Sequence, residues 1–453
     1  MIWYVFYNFL LLLASPVILI ILAAKQRCRR GLPERFGWRR SRPGGTGRTG
    51  PVIWIHAVSL GEVVAVTPLA RKLHERFPRY RLIVTTVTET GREAVEQRLA
   101  GVAEHRYAPL DFPWAVRRFL DLWKPSLYLF VETELWPNLL RILERRGIPS
   151  ILVNGRLSTR SFKRQRMALI GPLYRRMVRS ISCCLMQSER DAERMIDLGA
   201  DPARVRRTGN IKFDQPLPQA APSARPLSRD SLGIGEHERL FIAGSTHPEE
   251  EKQLLTCYQR VSREVPQLVL VLAPRHIERA AQLEATVRAT GLPVMRRSMM
   301  ESGRLEPVSG PRVVILDSRG ELAWLYKEAV VAFVGGTFVP VGGHNLLEPA
   351  VWGKPVFFGS HTDHCAEVAD LLLTAEGGAR VRDADELARR ITELLLDEAR
   401  LISMGQAARQ VVKDNQGALQ ASLDQIAAFL PDREVSAGTA AGDLLAIVSS
   451  SRS

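Results

Sequence analysis

At 453 residues the chain is too long for one ordinary hydrophobic core, so two domains of roughly 150 to 200 residues are expected. Hydrophobic residues at 46% and charged residues at 24% make most of the chain globular. A formal charge of +14 calls for an anionic partner: nucleic acid, an anionic membrane or a phosphorylated ligand.

Residues 1–24 contain no charged residue, and a helix of that length can cross a bilayer core, so they read as an uncleaved membrane anchor. Trp3, Tyr4 and Tyr7 near one end suit an interface. The stretch from Lys25 to Arg48 carries nine Lys or Arg against the single Glu34, which by the positive-inside rule puts the globular body on the cytoplasmic side. A signal peptide would carry its basic residues before the apolar run. The five cysteines show no metal spacing, and disulfides are not expected in a cytoplasmic body.

From Pro51 short apolar runs alternate with amphipathic stretches: 52–58, 81–87, 126–132, 150–154 and 183–188, then, beyond a Pro, Ala and Ser-rich linker, 239–246, 268–274, 312–317, 329–336 and 354–359. This is the βαβ pattern of two doubly wound parallel sheets, that is, two Rossmann-like domains facing a cleft. The boundaries expected are an anchor over 1–24, a basic juxtamembrane segment over 25–50, an N-terminal domain over 51–215, a linker over 216–235, a C-terminal domain over 236–430 and a disordered tail over 431–453.

The strand-to-helix junctions carry the candidate chemistry, since ligands of such sheets bind beyond the carboxyl ends of the strands. After the first strand, Gly61 is expected to make a sharp turn and Glu62 to fall in the first helical turn. Glu132 and Glu134 lie where the strand 126–132 ends, and paired acids at a sheet edge suit general acid and base work. Lys212, in GNIKFD, can neutralise an anionic group. In the second half Gly244, Ser245 and Thr246 form a small-residue junction, Pro274 and Arg275 end a strand, and Arg319, Gly320 and Glu321 follow another. Gly335 and Gly336 end the strand before Gly342, Gly343 and His344, and a helix expected near Asn345 would carry Leu346, Leu347 and Glu348. Together these describe a nucleotide-phosphate pocket, with Glu348 free to accept from a ribose diol. His361 and His364 flank Asp363, but no third ligand has suitable spacing, so they read as loop histidines. Asp383 and Asp385 read as helix-capping residues.

In this order SLGE, VETELWPN, GNIKFD, GSTH, PRH, GEL and GGHNLLEP resemble the 3-deoxy-D-manno-octulosonic acid (Kdo) transferases of lipopolysaccharide assembly. The resemblance implies a GT-B glycosyltransferase whose first domain receives the lipid A precursor and whose second binds CMP-Kdo, with inverting, metal-independent transfer and no cofactor, at the cytoplasmic face of the inner membrane. By motif, Glu62 would be the proton acceptor, and Glu132 and Lys212 would stabilise the transition state. Pro274, Arg275, Arg319 to Glu321 and Asn345 to Glu348 would contact CMP. Arg319 stands where familiar members often have Met. The rivals are a GT-B transferase using a UDP-sugar and another lipid acceptor, and a membrane-tethered nucleic-acid-binding protein. The second ranks low because so much of the basic charge follows the anchor, and no nucleic-acid partner is expected.

Overall fold

Runs of Val, Ile, Leu and Phe that can be buried on both faces become the central strands of two parallel sheets. The computed structural model describes residues 2–24, 31–38, 50–132, 134–167, 170–214, 229–300 and 310–430. Most of the expected basic segment and linker, and all of the expected tail, lie outside these residues. The chain divides into two compact units, 1–215 with 417–453, and 216–416.

In the first unit the strands are β1 (Val52–His56), β2 (Arg81–Thr86), β3 (Ala103–Tyr107), β4 (Pro125–Val131), β5 (Ser150–Gly155), β6 (Cys183–Met186) and β7 (Val205–Arg207). They form one sheet in the order β3-β2-β1-β4-β5-β6-β7, parallel throughout. Alternate residues of β1 feed opposite cores: Ile53 and Ile55 pack with the helix Leu60–Arg76, whereas Val52 and Trp54 pack with Phe119, Leu140 and Met177.

The second unit repeats the plan with β8 (Arg239–Thr246), β9 (Leu268–Pro274), β10 (Val294–Arg296), β11 (Val313–Ile315), β12 (Ala329–Val334), β13 (Val356–Phe358) and β14 (Gly378–Arg380). Its order is β10-β11-β9-β8-β12-β13-β14, again all parallel. Two α/β units of this kind form a GT-B fold. Each sheet has seven strands where the sequence showed five, and the four extra ones are short, polar strands at or near the sheet edges.

The helix Ala418–Ala427 belongs to the first unit, although the sequence reading carried the second domain to residue 430. Asp214 fixes it by accepting from Gly417 N at 2.6 Å and Leu419 N at 2.7 Å, which occupies amides a helix start otherwise leaves bare. Leu423 and Ile426 then join the core around β1.

The helix Ile2–Ala24 departs from the expected spanning anchor. Among the described residues no helix is long and apolar enough to cross a membrane. One face of this helix docks on the first unit. Tyr7 donates to Asp111 at 2.9 Å, Asn8 exchanges hydrogen bonds with Asn138, and Arg141 lies over the ring of the buried Tyr4. Tyr4 and Tyr7 are therefore engaged in packing within the first unit. Asp111 also accepts from Asn138 N and Leu139 N, so it caps the helix Pro137–Arg145 while holding Tyr7. The opposite face, with Ile2, Val5, Phe9, Leu13 and Ile20, stays exposed.

Candidate active site

In the first unit the helix Leu60–Arg76 follows β1 directly, which puts Glu62 three residues past the N-cap Ser59. Its carboxylate turns back on the helix start: Val58 N donates to Oε2 at 2.8 Å and the Ser59 hydroxyl to Oε1 at 3.0 Å. The residue is only 9% exposed. Burial raises its pKa from 4.5 to about 7, the Val58 and Ser59 bonds oppose the rise, and the charges of Glu132 and Glu134 add to it. Gly61 makes no sharp turn, because it lies inside the helix without a positive φ. A Cβ there would meet nothing closer than the Ser59 hydroxyl at 4.0 Å, so the glycine leaves open space beside Glu62.

Glu132 stands at the carboxyl end of β4 with φ of 60°, a left-handed conformation that costs a non-glycine residue about 1 kcal/mol or more. Its carboxylate pairs with the Lys212 ammonium at 3.2 Å, both side chains about one-third exposed. Lys212 is placed by buried amides that the sequence reading passed over. Asn154, at the end of β5 with φ of 56°, accepts from Ile211 N at 3.1 Å, and Asn210 accepts from Lys212 N at 3.0 Å. Gln187 links them, donating to the Asn154 carbonyl and accepting from Asn210. Glu134 accepts from the Trp136 indole at 3.0 Å, and Trp136 meets His56 edge-on. Burial lowers the His56 pKa to about 4, so its ring is neutral. The result is three carboxylates and one ammonium at the carboxyl edge of one sheet, with the most buried carboxylate poised between its two protonation states near neutral pH.

In the second unit the junctions after β8 are filled largely by the chain itself. Gly244 is required by Tyr326, whose hydroxyl would lie 1.9 Å from an added Cβ. Ser245 has φ of 57° where the β8 register shifts, and Thr246 donates to Glu251. Next to this junction Glu250, fully buried, accepts from His247 N at 2.9 Å, Gly336 N at 2.6 Å and Phe338 N at 3.3 Å. Gly342 and Gly343 have φ of 101° and 84°, and an added Cβ would strike His364 or Cys365.

What stays available is a cationic and imidazole group. Arg275 is exposed just past β9, its N–H held by the Thr246 carbonyl at 3.0 Å. It lies close enough to lower the pKa of His344, which burial chiefly brings to about 4, and to oppose the burial that raises Glu348. His344 and His247 stack with rings 5° apart and Nε2 atoms 2.9 Å apart, so in their neutral forms one donates and the other accepts. The sequence reading gave His247 no role, although its GSTH motif contained it. The expected helix at Asn345 begins later, as the four-residue Leu347–Ala350, because Asn345 first makes a turn by accepting from Leu347 N at 3.2 Å. Its amide donates to Glu348 at 3.3 Å. Leu346 and Leu347 are buried.

Pro274 is buried at the end of β9, while Arg319 and Gly320 are exposed, with φ of 84° at the glycine. Glu321 is engaged by the Ser318 hydroxyl and by Arg297 at 3.5 Å. Asp383 caps the helix Ala384–Leu396 through Glu386 N, and Asp385 pairs with Arg260. Among the described residues no group of three His, Cys, Asp or Glu is placed to hold a metal ion.

A family model described as 3-deoxy-D-manno-octulosonic-acid transferase (kdotransferase) matches residues 30–215. The 3-deoxy-D-manno-octulosonic acid transferase of Haemophilus influenzae is 36% identical over 439 residues, covering 94% of this chain and 99% of its own length. That of Bordetella pertussis is 33% identical and covers 92% and 97%. Among solved structures, the Staphylococcus aureus MnaA–UDP complex superposes with a TM-score of 0.56 over 84% of this chain and 97% of its own, at 14% identity, a likeness of fold alone. The chain belongs to the 3-deoxy-D-manno-octulosonic acid transferases.

Proposed function

We propose that this glycosyltransferase moves Kdo from CMP-Kdo to a hydroxyl of a lipid A precursor, with inversion and with Glu62 as general base. The observation that carries the reading is the Glu62 carboxylate: buried, in the first turn after β1, with a pKa raised to about 7 and open space at Gly61 beside it. A base that takes a proton from an attacking hydroxyl works best when its pKa lies near the working pH. The acceptor oxygen forms its bond to the anomeric carbon as its proton passes to Glu62. The bond from that carbon to the phosphate oxygen breaks, and CMP leaves with the electron pair. Attack opposite the leaving group inverts the anomeric centre.

Lys212, held against Glu132, supplies positive charge where negative charge develops, and in a partly buried site this is worth more than in water. In the second unit Arg275 is the cation for the CMP phosphate, and Glu348 is the acceptor for the ribose diol. Backbone groups at Pro274, Arg319 to Glu321 and Asn345 to Leu347 border the nucleotide. The transfer needs no metal in this reading, because Arg275 and Lys212 supply the charge.

Membrane attachment belongs to the same reading. The exposed apolar face of Ile2–Ala24 lies beside an aromatic cluster in which Phe36 stacks on Trp38 and Phe112 on Trp114, with both tryptophans exposed. Such a surface suits insertion into an interface, and the nine basic residues of 25–48 favour anionic lipids of the cytoplasmic leaflet. The docked face of the helix favours attachment along the membrane over a free single-pass span.

The test is incubation of the full chain with CMP-Kdo and a lipid A precursor, followed by mass spectrometry of the lipid. The expected product gains Kdo, and CMP but not UDP competes with the donor. A preparation that binds UDP and ignores CMP would overturn the reading.

A further inference from the structure

The first unit holds a second concavity, remote from Glu62, that the transfer reaction does not use. It has a volume of about 880 Å³ and is walled on one side by Trp3 and Tyr4 of the helix Ile2–Ala24. Six arginines line it, Arg141, Arg145, Arg166, Arg175, Arg176 and Arg179, against only two acids, Glu144 and Asp197. Of these pairs only Arg176 and Glu144 approach each other, at 3.5 Å. So many like charges around one hollow repel one another unless an anion is there to be bound. Two further lining groups are polar, buried and without a hydrogen-bond partner: the Tyr4 hydroxyl and the Gln165 Oε1, each residue 4% exposed. A buried polar atom left bare costs about 1 to 3 kcal/mol, a cost that a hydrogen-bonding ligand would remove.

The place is distinct from the catalytic carboxylates. Arg145 and Arg179 end the helices Pro137–Arg145 and Gly171–Arg179, which lead into the amino ends of β5 and β6. Glu62 and Glu132 follow the carboxyl ends of β1 and β4. None of the residues that line the cavity belongs to the group of Glu62, Glu132, Glu134 and Lys212.

We infer that this cavity binds the headgroup of an anionic phospholipid, with a phosphodiester among the arginines and a headgroup hydroxyl at Gln165. The cavity size is that of a small-molecule site. Arginine suits phosphate because its guanidinium presents paired donors to two oxygens. Tyr4 adds a hydroxyl donor, and the Gln165 carbonyl needs a donor in return, which a phosphoglycerol supplies and phosphate alone does not. A lipid rather than a free anion is favoured by the wall: the helix bearing Trp3 and Tyr4 exposes Ile2, Val5 and Phe9 on its other face, along which acyl chains can lie, and Met167 is exposed at the rim.

The inference shares only the apolar helix face with the proposed function, and it is tested without CMP-Kdo. The full chain in detergent is titrated calorimetrically with dioctanoyl phosphatidylglycerol, dioctanoyl phosphatidylcholine and inorganic phosphate. Phosphatidylglycerol should bind saturably at one equivalent, at least tenfold more tightly than the other two. The double variant Arg175→Ala with Arg179→Ala should weaken it tenfold or more while turnover on detergent-dispersed acceptor stays within twofold. Equal binding of inorganic phosphate would overturn the lipid assignment. Unchanged lipid affinity in the variant would overturn the site, and a matching rise in acceptor KM would reassign it as part of the acceptor's own binding surface. Should the double variant fail to fold, Arg145→Ala at an exposed helix end is read in the same titration, with the same outcomes deciding.

Discussion

Glu62 and Glu250 occupy the same position in the two units. Each stands three residues past the N-cap of the helix that follows the first strand of its unit in the chain, β1 or β8. Both are buried carboxylates with raised pKa. The difference lies in what meets them. Glu250 accepts from three backbone amides and so ties the β8 junction to the Gly336–Phe338 loop, whereas Glu62 accepts from one amide and one hydroxyl and has open space beside it. A duplicated architecture thus uses one position twice, once to fasten a loop and once to leave a buried carboxylate with open space beside it. Position at a helix start does not decide the role; the number of amides saturating the carboxylate does.

The sharpest way to break the comparison is to replace each acid. Glu62→Gln keeps size and hydrogen bonding but cannot accept a proton, so turnover should fall by about 10²- to 10⁴-fold with CMP affinity unchanged. The stability sign is opposite to that of a paired acid. The folded pKa of Glu62 lies above the ordinary carboxyl value, so its contribution to stability falls as pH rises from 4.5 to about 7. Glu62→Gln should therefore melt no lower than wild type at pH 8. Near-normal turnover would make Glu62 another Glu250 and move the base to Glu132 or Glu134. Glu250→Ala, by contrast, bares three amides at about 1 to 3 kcal/mol each when unsatisfied. It should lose roughly 3 kcal/mol or more in urea denaturation, and a loss below about 1 kcal/mol would show that water serves those amides as well.

Arg275→Ala should weaken CMP about tenfold, the low end for a charged hydrogen bond to phosphate, because the side chain is exposed. Calorimetry with CMP measures it, and unchanged affinity would take the phosphate away from this loop. A subtler change is Gly61→Ala. The residue is helical, has no positive φ, and an added Cβ would meet only the Ser59 hydroxyl, at an unstrained 4.0 Å, so alanine should stabilise the helix by up to about 1 kcal/mol. The same methyl intrudes beside Glu62, and the acceptor KM should rise severalfold. A variant more stable and equally active would show that the space at Gly61 is not used.

How much of this was legible beforehand follows burial. The central strands announced themselves because both faces are covered, which forces unbroken apolar runs such as LVLVLAP in β9. The strands AEHRY, VRR, VMR and GAR passed unseen because they are short and lie at or near sheet edges, where neighbour strands rather than side chains decide the conformation. Glu62 could be singled out from its place after a strand, but its poise could not, since Glu132 lies 70 residues away in sequence and the burial is tertiary. The glycines have a second reason that the sequence does not show. Gly244 and Gly343 were singled out for bare backbone at a ligand site, and the structure adds a packing reason for each, since a Cβ would strike Tyr326 or Cys365. The arginine cavity was invisible because its charges are scattered over 141–179 and converge only once helices pack.

The smallest expected effect tests the coupling directly. Burial is the chief reason the Glu62 pKa stands near 7, and the Glu132 charge adds to it. Glu132→Gln removes that charge while burial stays, so the pKa should fall, and only slightly because Lys212 at 3.2 Å offsets the carboxylate that is lost. Since the ionised base is the active form, the acid limb of the log(kcat/KM) profile should shift to lower pH, although the plateau also drops as Lys212 loses its partner. Lys212→Ala should do the reverse: it exposes the full Glu132 charge to Glu62 and moves the limb to higher pH. Opposite shifts from the two halves of one ion pair are not produced by general loss of structure, which lowers the plateau and leaves the limb in place. Limbs that stay where they are in both variants would mean that Glu62 and Glu132 do not sense each other in the working enzyme.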